Sequence, residues 1–175
     1  MSIILIIVIV IAAIIVLLLI TAAVAPKKYS IARQIDVDAP QQKVFDYIKM
    51  LKNQNHYNKW VMTDPEMKKE FTGNDGTVGF IYAWNGNKQA GEGEQEIKTL
   101  TNERVVSEVR FVRPFVSTSI LEMKATALPN NRTHIDFSTG SEMKFPMNAM
   151  LPMIKKMLGK DMDITLANLK AIMEQ

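Results

Sequence analysis

The chain has 175 residues, 47% of them hydrophobic, with 21 Lys and Arg against 18 Asp and Glu for a formal charge of +3. With no cysteine and two histidines it has neither a disulfide framework nor the usual ligands of a zinc site. The basic excess forms no block long enough for a nucleic-acid footprint, so nucleic acid is not expected as a partner.

The hydrophobicity is concentrated at one end. Ile3 to Ile20 contains only Ile, Leu, Val and Ala, and no charged side chain occurs before Lys27. Eighteen residues at a helical rise cover about 27 Å, and continuing to Ala25 exceeds the roughly 30 Å hydrocarbon core. The Ile, Val and Leu residues favour insertion by about 5 to 10 kcal/mol. Residues 1–25 are therefore expected to form a single-pass transmembrane anchor, and residues 26–175 one folded domain. A cleaved signal peptide is the alternative, since Ala23 to Ala25 has small residues at a cleavage-site spacing. The missing basic n-region, the length of the apolar run and Pro26 oppose it. Lys27 and Lys28 favour a cytoplasmic domain by the positive-inside rule. The span has no glycine and hence no glycine-type dimer motif.

The segment "YSIARQIDVDAP" alternates, with Tyr29, Ile31, Arg33, Ile35 and Val37 on one face, and predicts a first strand. Pro40 then opens a helix whose apolar stripe is Val44, Phe45, Ile48 and Leu51, and "NQNHYNKW" predicts a second short helical segment. Six strand-like segments follow up to Met143, separated by turn chemistry such as "GNDG", "NGN" and "PNN". Val105, Ser107, Val109 and Phe111 share one strand face, as do Leu121, Met123 and Ala125, and Ile135 and Phe137. The opposite faces carry Glu108, Arg110, Glu122, Lys124, His134 and Asp136. Such a sheet buries one face, and the only long helix left to cover it is the last.

That helix starts in "MKFPMNAMLPMIKKML", five methionines within sixteen residues. Pro152 would break a helix already under way, so the regular part is expected from about Leu151 after a looser turn. Met147, Met150, Leu151, Ile154, Met157, Leu158, Met162, Thr165, Leu166, Leu169 and Ile172 approximate one helical face. Methionine adapts to irregular space, so its role is open between filling core and walling a pocket that accepts varied apolar guests. Gly159 predicts close approach of another backbone.

The order of elements, strand, two short helices, six strands and a long helix, resembles the helix-grip fold. "RQIDVDAPQQKVFDYI" resembles the opening of the SRPBCC superfamily, the START-like proteins. "VGFIYAWNGNKQAGEGEQEI" and "GKDMDITLANLKAIME" are similar to the central hairpin and helix ending of its polyketide cyclase/dehydrase branch. The resemblance runs from Tyr29 to Gln175 and implies an α+β fold, a curved seven-stranded antiparallel sheet around the C-terminal helix. It also implies a cavity between sheet and helix for a hydrophobic small molecule or lipid, with no cofactor or metal. Strand phase then makes Trp60, Tyr82, Trp84, Phe111, Leu121, Phe137, Met147, Met150, Ile154 and Met157 the expected lining. A cyclase or dehydratase activity and a partner-binding regulatory role are the alternatives, and no protein partner is specified.

Candidate chemistry beyond the lining is sparse. His56 fits a surface loop, and His134 shares an outward strand face with Asp136. Glu92, Glu94 and Glu96 share a face and read as a solvated edge, with Gly91 and Gly93 marking a bend in the sheet. Arg33, the one charge on an apolar strand face, is expected to reach the sheet edge or a ligand headgroup.

Overall fold

A computed structural model of the chain describes residues 2–175. Helix α1 (Ile3–Val24) runs unbroken for 22 residues, and Ala22 is its one buried position. By length and composition it can cross a membrane. Strand β1 (Lys28–Val37) leads to α2 (Gln41–Ile48) and the short α3 (Gln54–Tyr57), with 3-10 turns at Leu51–Asn53 and Val61–Thr63. Six strands follow: β2 (Lys68–Thr72), β3 (Ile81–Asn85), β4 (Glu92–Leu100), β5 (Arg104–Arg113), β6 (Ser117–Leu128) and β7 (Arg132–Glu142). A 3-10 turn at Met147–Met150 enters α4 (Leu151–Met173). The Arg113–Pro114 and Phe145–Pro146 peptides are cis.

The sheet is antiparallel throughout, in the order β1-β7-β6-β5-β4-β3-β2. Hairpin connections place sequential strands side by side, and β1 closes on β7 with Lys28 opposite Glu142. Its inner face carries the expected alternation, with Val105, Ser107, Met123, Ala125, Ile135 and Phe137 all buried. Alpha-helical cover comes from α4 along β1 and from α2 over β6 and β7. The stripe read from α2 is in place: Val44, Phe45, Ile48 and Leu51 are buried.

Helix α4 begins at Leu151, as expected, and Pro152 lies in the first turn, where its missing N–H costs no intrahelical bond. Its buried stripe is Leu151, Gly159, Met162, Thr165, Leu166, Leu169 and Met173. The apolar face read from sequence is therefore too wide. At about 100° per residue, Leu151, Leu158 and Leu169 lie within about 40° of Met162, whereas Met150 and Met157 lie about 120° and 140° away. Met147, Met150 and Met157 are accordingly exposed.

Two further expectations are corrected. Glu92, Glu94 and Glu96 are not a solvated edge, because β4 lies between β3 and β5. Arg110 donates from Nε to Glu94 at 2.7 Å, from Nη2 to Glu96 at 2.8 Å, and from Nη1 to Glu108; Arg113 donates to Glu92 at 2.8 Å. Lys98 and Arg110 hold the Glu96 carboxyl below the usual carboxylate range. At Gly159 the close neighbour is a side chain rather than a backbone, since the Arg33 guanidinium lies where a Cβ would stand.

Candidate functional site

Antiparallel pairing sorts the two ends of the sheet. The starts of β1, β2, β4 and β6 and the ends of β3, β5 and β7 lie together, at the end where α1 joins. This is the proximal end; the turns β4–β5 and β6–β7 and the β1–α2 connection mark the distal end.

The distal and central concave face is closed. Tyr57, Phe80, Tyr82, Ile97, Phe137, Met162, Leu166 and Leu169 fill it, each within 2% of complete burial. A polar chain crosses this interior. Asn58 Nδ2 donates to Gln54 Oε1 at 2.8 Å, Gln54 Nε2 to Gln95 Oε1 at 3.0 Å, and Gln95 Nε2 to the Ser107 hydroxyl at 2.7 Å. All four residues are buried, so the bonds offset the desolvation of amides and hydroxyl. The chain ties α3 to β4 and β5. The strand phase signals it, because Gln95 and Ser107 are polar residues at inward positions of otherwise apolar or glycine rows.

The proximal concave face is incompletely covered. Trp84, Phe111, Ser117, Ser119, Leu121, Thr139 and Ser141 are half-buried there. Their register makes them neighbours: Phe111 opposes Ser117 and Gly93, Trp84 opposes Gly93, and Leu121 opposes Thr139. Gly93 sits at a register shift in β4, consistent with the bend expected from its sequence. A side chain there would strike the Arg110 carbonyl oxygen and the Trp84 ring, so glycine lets the indole lie across the strand. Trp84 meets Phe111 edge-on at 5.9 Å and Tyr82 at 6.3 Å, and its Nε1 donates to the Ala90 carbonyl at 3.2 Å. The result is a half-covered face with an aromatic cluster on one side and serine and threonine hydroxyls along it.

The ten expected lining residues divide accordingly. Tyr82, Trp84 and Phe111 form one aromatic cluster, and Leu121 is half-buried on the same face. Tyr82 is buried, its hydroxyl donates to Asn55 at 3.3 Å, and burial pushes its pKa up to about 12. Trp60 meets Phe137 edge-on at 6.5 Å and donates from Nε1 to Asp161 at 3.2 Å. Ile154 is half-buried on α4. Met147, Met150 and Met157 are not gathered with the others, being exposed at the helix entrance and on its outward side.

Arg33 reaches across edge strand β1 to α4, where its Nε pairs with Asp163 at 3.0 Å. His56 is exposed on α3. His134 lies on the outer face, with Nδ1 2.6 Å from Asp36 and Nε2 3.5 Å from Asp136. The hydrogen bond to Asp36 raises the histidine pKa above its ordinary value. Two clefts open on the outer face, one of about 250 Å³ beside Ala83, Glu92 and Glu94, the other of about 600 Å³ beside Arg104, Glu122 and Lys124.

Solved structures share this arrangement across nearly the whole chain. Truncated norcoclaurine synthase from Thalictrum flavum superposes with a TM-score of 0.65 at 16% identity, over 87% of this chain and 98% of that one. The Aha1 dimer structure from Colwellia psychrerythraea gives 0.57 at 16% identity, over 83% and 96%. The di-domain ARO/CYC BexL of the BE-7585A biosynthetic pathway gives 0.63 at 12% identity, over 89% of this chain and 53% of that one. The chain has the helix-grip fold that these structures share. No family model and no curated protein matches it. In this helix grip the half-covered proximal face and the closed distal core occupy the two ends of one sheet face, and α1 adjoins the half-covered end.

Proposed function

We propose that this chain is a membrane-tethered helix-grip domain that binds an apolar or amphipathic small molecule in a groove along the half-covered proximal face. Residues 1–25 are the anchor, residues 26–175 the binding domain, and Lys27 and Lys28 favour the cytoplasmic side. The observation that carries the reading is the contrast along one sheet face, closed at its distal end and half-open around Trp84, Phe111 and Leu121. Burial of an apolar guest there would remove these side chains from water at about 25 cal/mol per Å². Hydroxyls of Ser117 and Ser119 would orient a polar end. Of the expected lining, Trp60, Tyr82, Trp84, Phe111, Leu121, Phe137 and Ile154 serve the groove or its support, Met147 and Met150 contact a guest only where it extends past the helix entrance, and Met157 faces away from it. Among solved structures of this fold, norcoclaurine synthase has been captured with dopamine and hydroxybenzaldehyde, which supports use of the fold for small molecules.

Native mass spectrometry of the full chain in detergent tests this. Wild type is expected to carry a bound small molecule, and Leu121→Trp, which fills the groove, is expected to lose it while keeping the wild-type Tm. An empty wild type, or equal loading of Leu121→Trp, would refute the assignment.

A further inference from the structure

The proximal end of the domain is apolar on its outside as well. Phe115 and Val116, at the β5–β6 tip, are 68% and 88% exposed. Phe145 and Met147, between β7 and α4, are 51% and 40% exposed, and Met150 and Met153, entering α4, are 40% and 60%. The distal turns differ: Thr101–Glu103 and Pro129–Asn131 are polar or small, and the large hydrophobic residues exposed in that region are Phe71 and Val78. An apolar concentration weighted toward one end marks an interaction surface.

Three observations identify what covers it. First, only residues 25–27 separate α1 from β1, a reach of about 10 Å when extended, so this end of the domain stays beside the end of α1. Second, the loop that bears Phe145 and Met147 grips the helix. Asn148, fully buried, donates from Nδ2 to the carbonyls of Ala22 at 2.7 Å and Ala25 at 3.0 Å, at the terminus where helix carbonyls lack intrahelical partners. Third, exposed Lys27, Lys28, Lys88 and Lys144 lie at this end, against the exposed acids Glu66 and Glu142. With α1 in a bilayer, a lipid surface already lies beside this end.

We propose that this end is a second membrane contact. The β5–β6 tip and the β7–α4 connection enter the interfacial layer of the bilayer that α1 spans, with the lysines against anionic headgroups and the groove opening toward the lipid. This rests on α1 being embedded, as the proposed function holds.

Absence of native cysteine allows single nitroxide labels on the full chain in phosphatidylcholine–phosphatidylserine vesicles. The labelled variants are Val10→Cys in the span, Val116→Cys and Met153→Cys at the apolar end, and Asn102→Cys at the distal end. Collision rates with oxygen and with an aqueous nickel chelate read depth. Label 10 is expected deep, labels 116 and 153 interfacial and several-fold less accessible to nickel than label 102. Labels 116 and 153 as nickel-accessible as label 102, with label 10 deep, would overturn the docking while leaving the tether intact. An aqueous label 10 would overturn the tether and the docking with it.

Discussion

Gly159→Ala and Gly93→Ala are expected to move stability in opposite directions, although both glycines are buried. The nearest atoms to a Cβ on Gly159 all belong to the Arg33 guanidinium, Nη2 first and then Cζ at 2.8 Å. That guanidinium ends a flexible side chain, and its pair with Asp163 is 37% and 58% exposed. Swinging it aside forfeits an exposed ion pair, about 0.2–1 kcal/mol, and an exposed hydrogen bond from Nη1 to the Ala32 carbonyl that water replaces, while alanine in a helix interior gains about 0.8–1 kcal/mol over glycine. The balance lies between about 0 and 1 kcal/mol in favour of the variant. A Cβ on Gly93 instead stands 2.5 Å from the Arg110 carbonyl oxygen and 2.8 Å from Trp84 Cζ2. The carbonyl is backbone of the adjoining strand, and the indole is held between Tyr82 and Phe111. Overpacking of that kind costs about 1–3 kcal/mol. At about 2–4 °C per kcal/mol for a domain this size, Gly159→Ala should melt up to about 4 °C above wild type and Gly93→Ala about 2–12 °C below. Thermal unfolding of the full chain in detergent, followed by fluorescence of its two tryptophans, Trp60 and Trp84, reads both. A fall of more than about 4 °C for Gly159→Ala would refute the reasoning, because it would mean that Arg33 is locked in place rather than yielding.

Gln95→Met removes the centre of the buried polar chain and leaves the Ser107 hydroxyl and the Gln54 amide without those partners. Unsatisfied buried groups cost about 1–3 kcal/mol each, so the variant should melt several degrees lower; an unchanged Tm would mean that water enters the interior. His134 gives a pH dependence of known sign. Its pKa is raised in the fold by the hydrogen bond to Asp36, so the protonated form is favoured there. That contribution is complete below the ordinary histidine value near 6.5 and is lost as pH rises through the raised folded value. Tm should therefore fall by a few degrees at most across that rise, as suits a partly exposed pair, and His134→Gln should flatten the dependence. A wild-type profile that His134→Gln leaves unaltered would assign the effect to another group.

The fold was legible because its signals are local and repeated. Period-two alternation in β5, β6 and β7 names the inner face directly, and the buried residues there are those the alternation selects. Pro40 and Pro152 marked helix starts through a purely steric rule, and both helices begin beside them. Pairing partners are less local. Glu92, Glu94 and Glu96 look like solvated carboxylates until register sets Arg110 opposite Glu94, after which one guanidinium reaches three acids. Gly159 likewise announces close approach but not what approaches, since Arg33 lies more than a hundred residues earlier in the chain.

The methionines show where a stripe argument loses its footing. Over the last part of α4, Met162, Leu166, Leu169 and Met173 keep to one arc, and the exposed positions between them are Asp163, Ala167 and Ala171. Over the first two turns Leu151 and Leu158 face inward, whereas Met153 and Met157 lie about 180° and 140° from the buried arc, beside exposed Lys155 and Lys156. Apolar residues on two sides of a helix have two apolar neighbours or carry an exposed liability. Here one neighbour is the sheet, and α1 lies at the same end, its terminal carbonyls held by Asn148. The methionine excess thus has a physical reading that periodicity alone misses. It widens the apolar surface of α4 at the end where the preceding Met147–Met150 turn meets α1, and it stops, within about two turns, where the helix continues along β1.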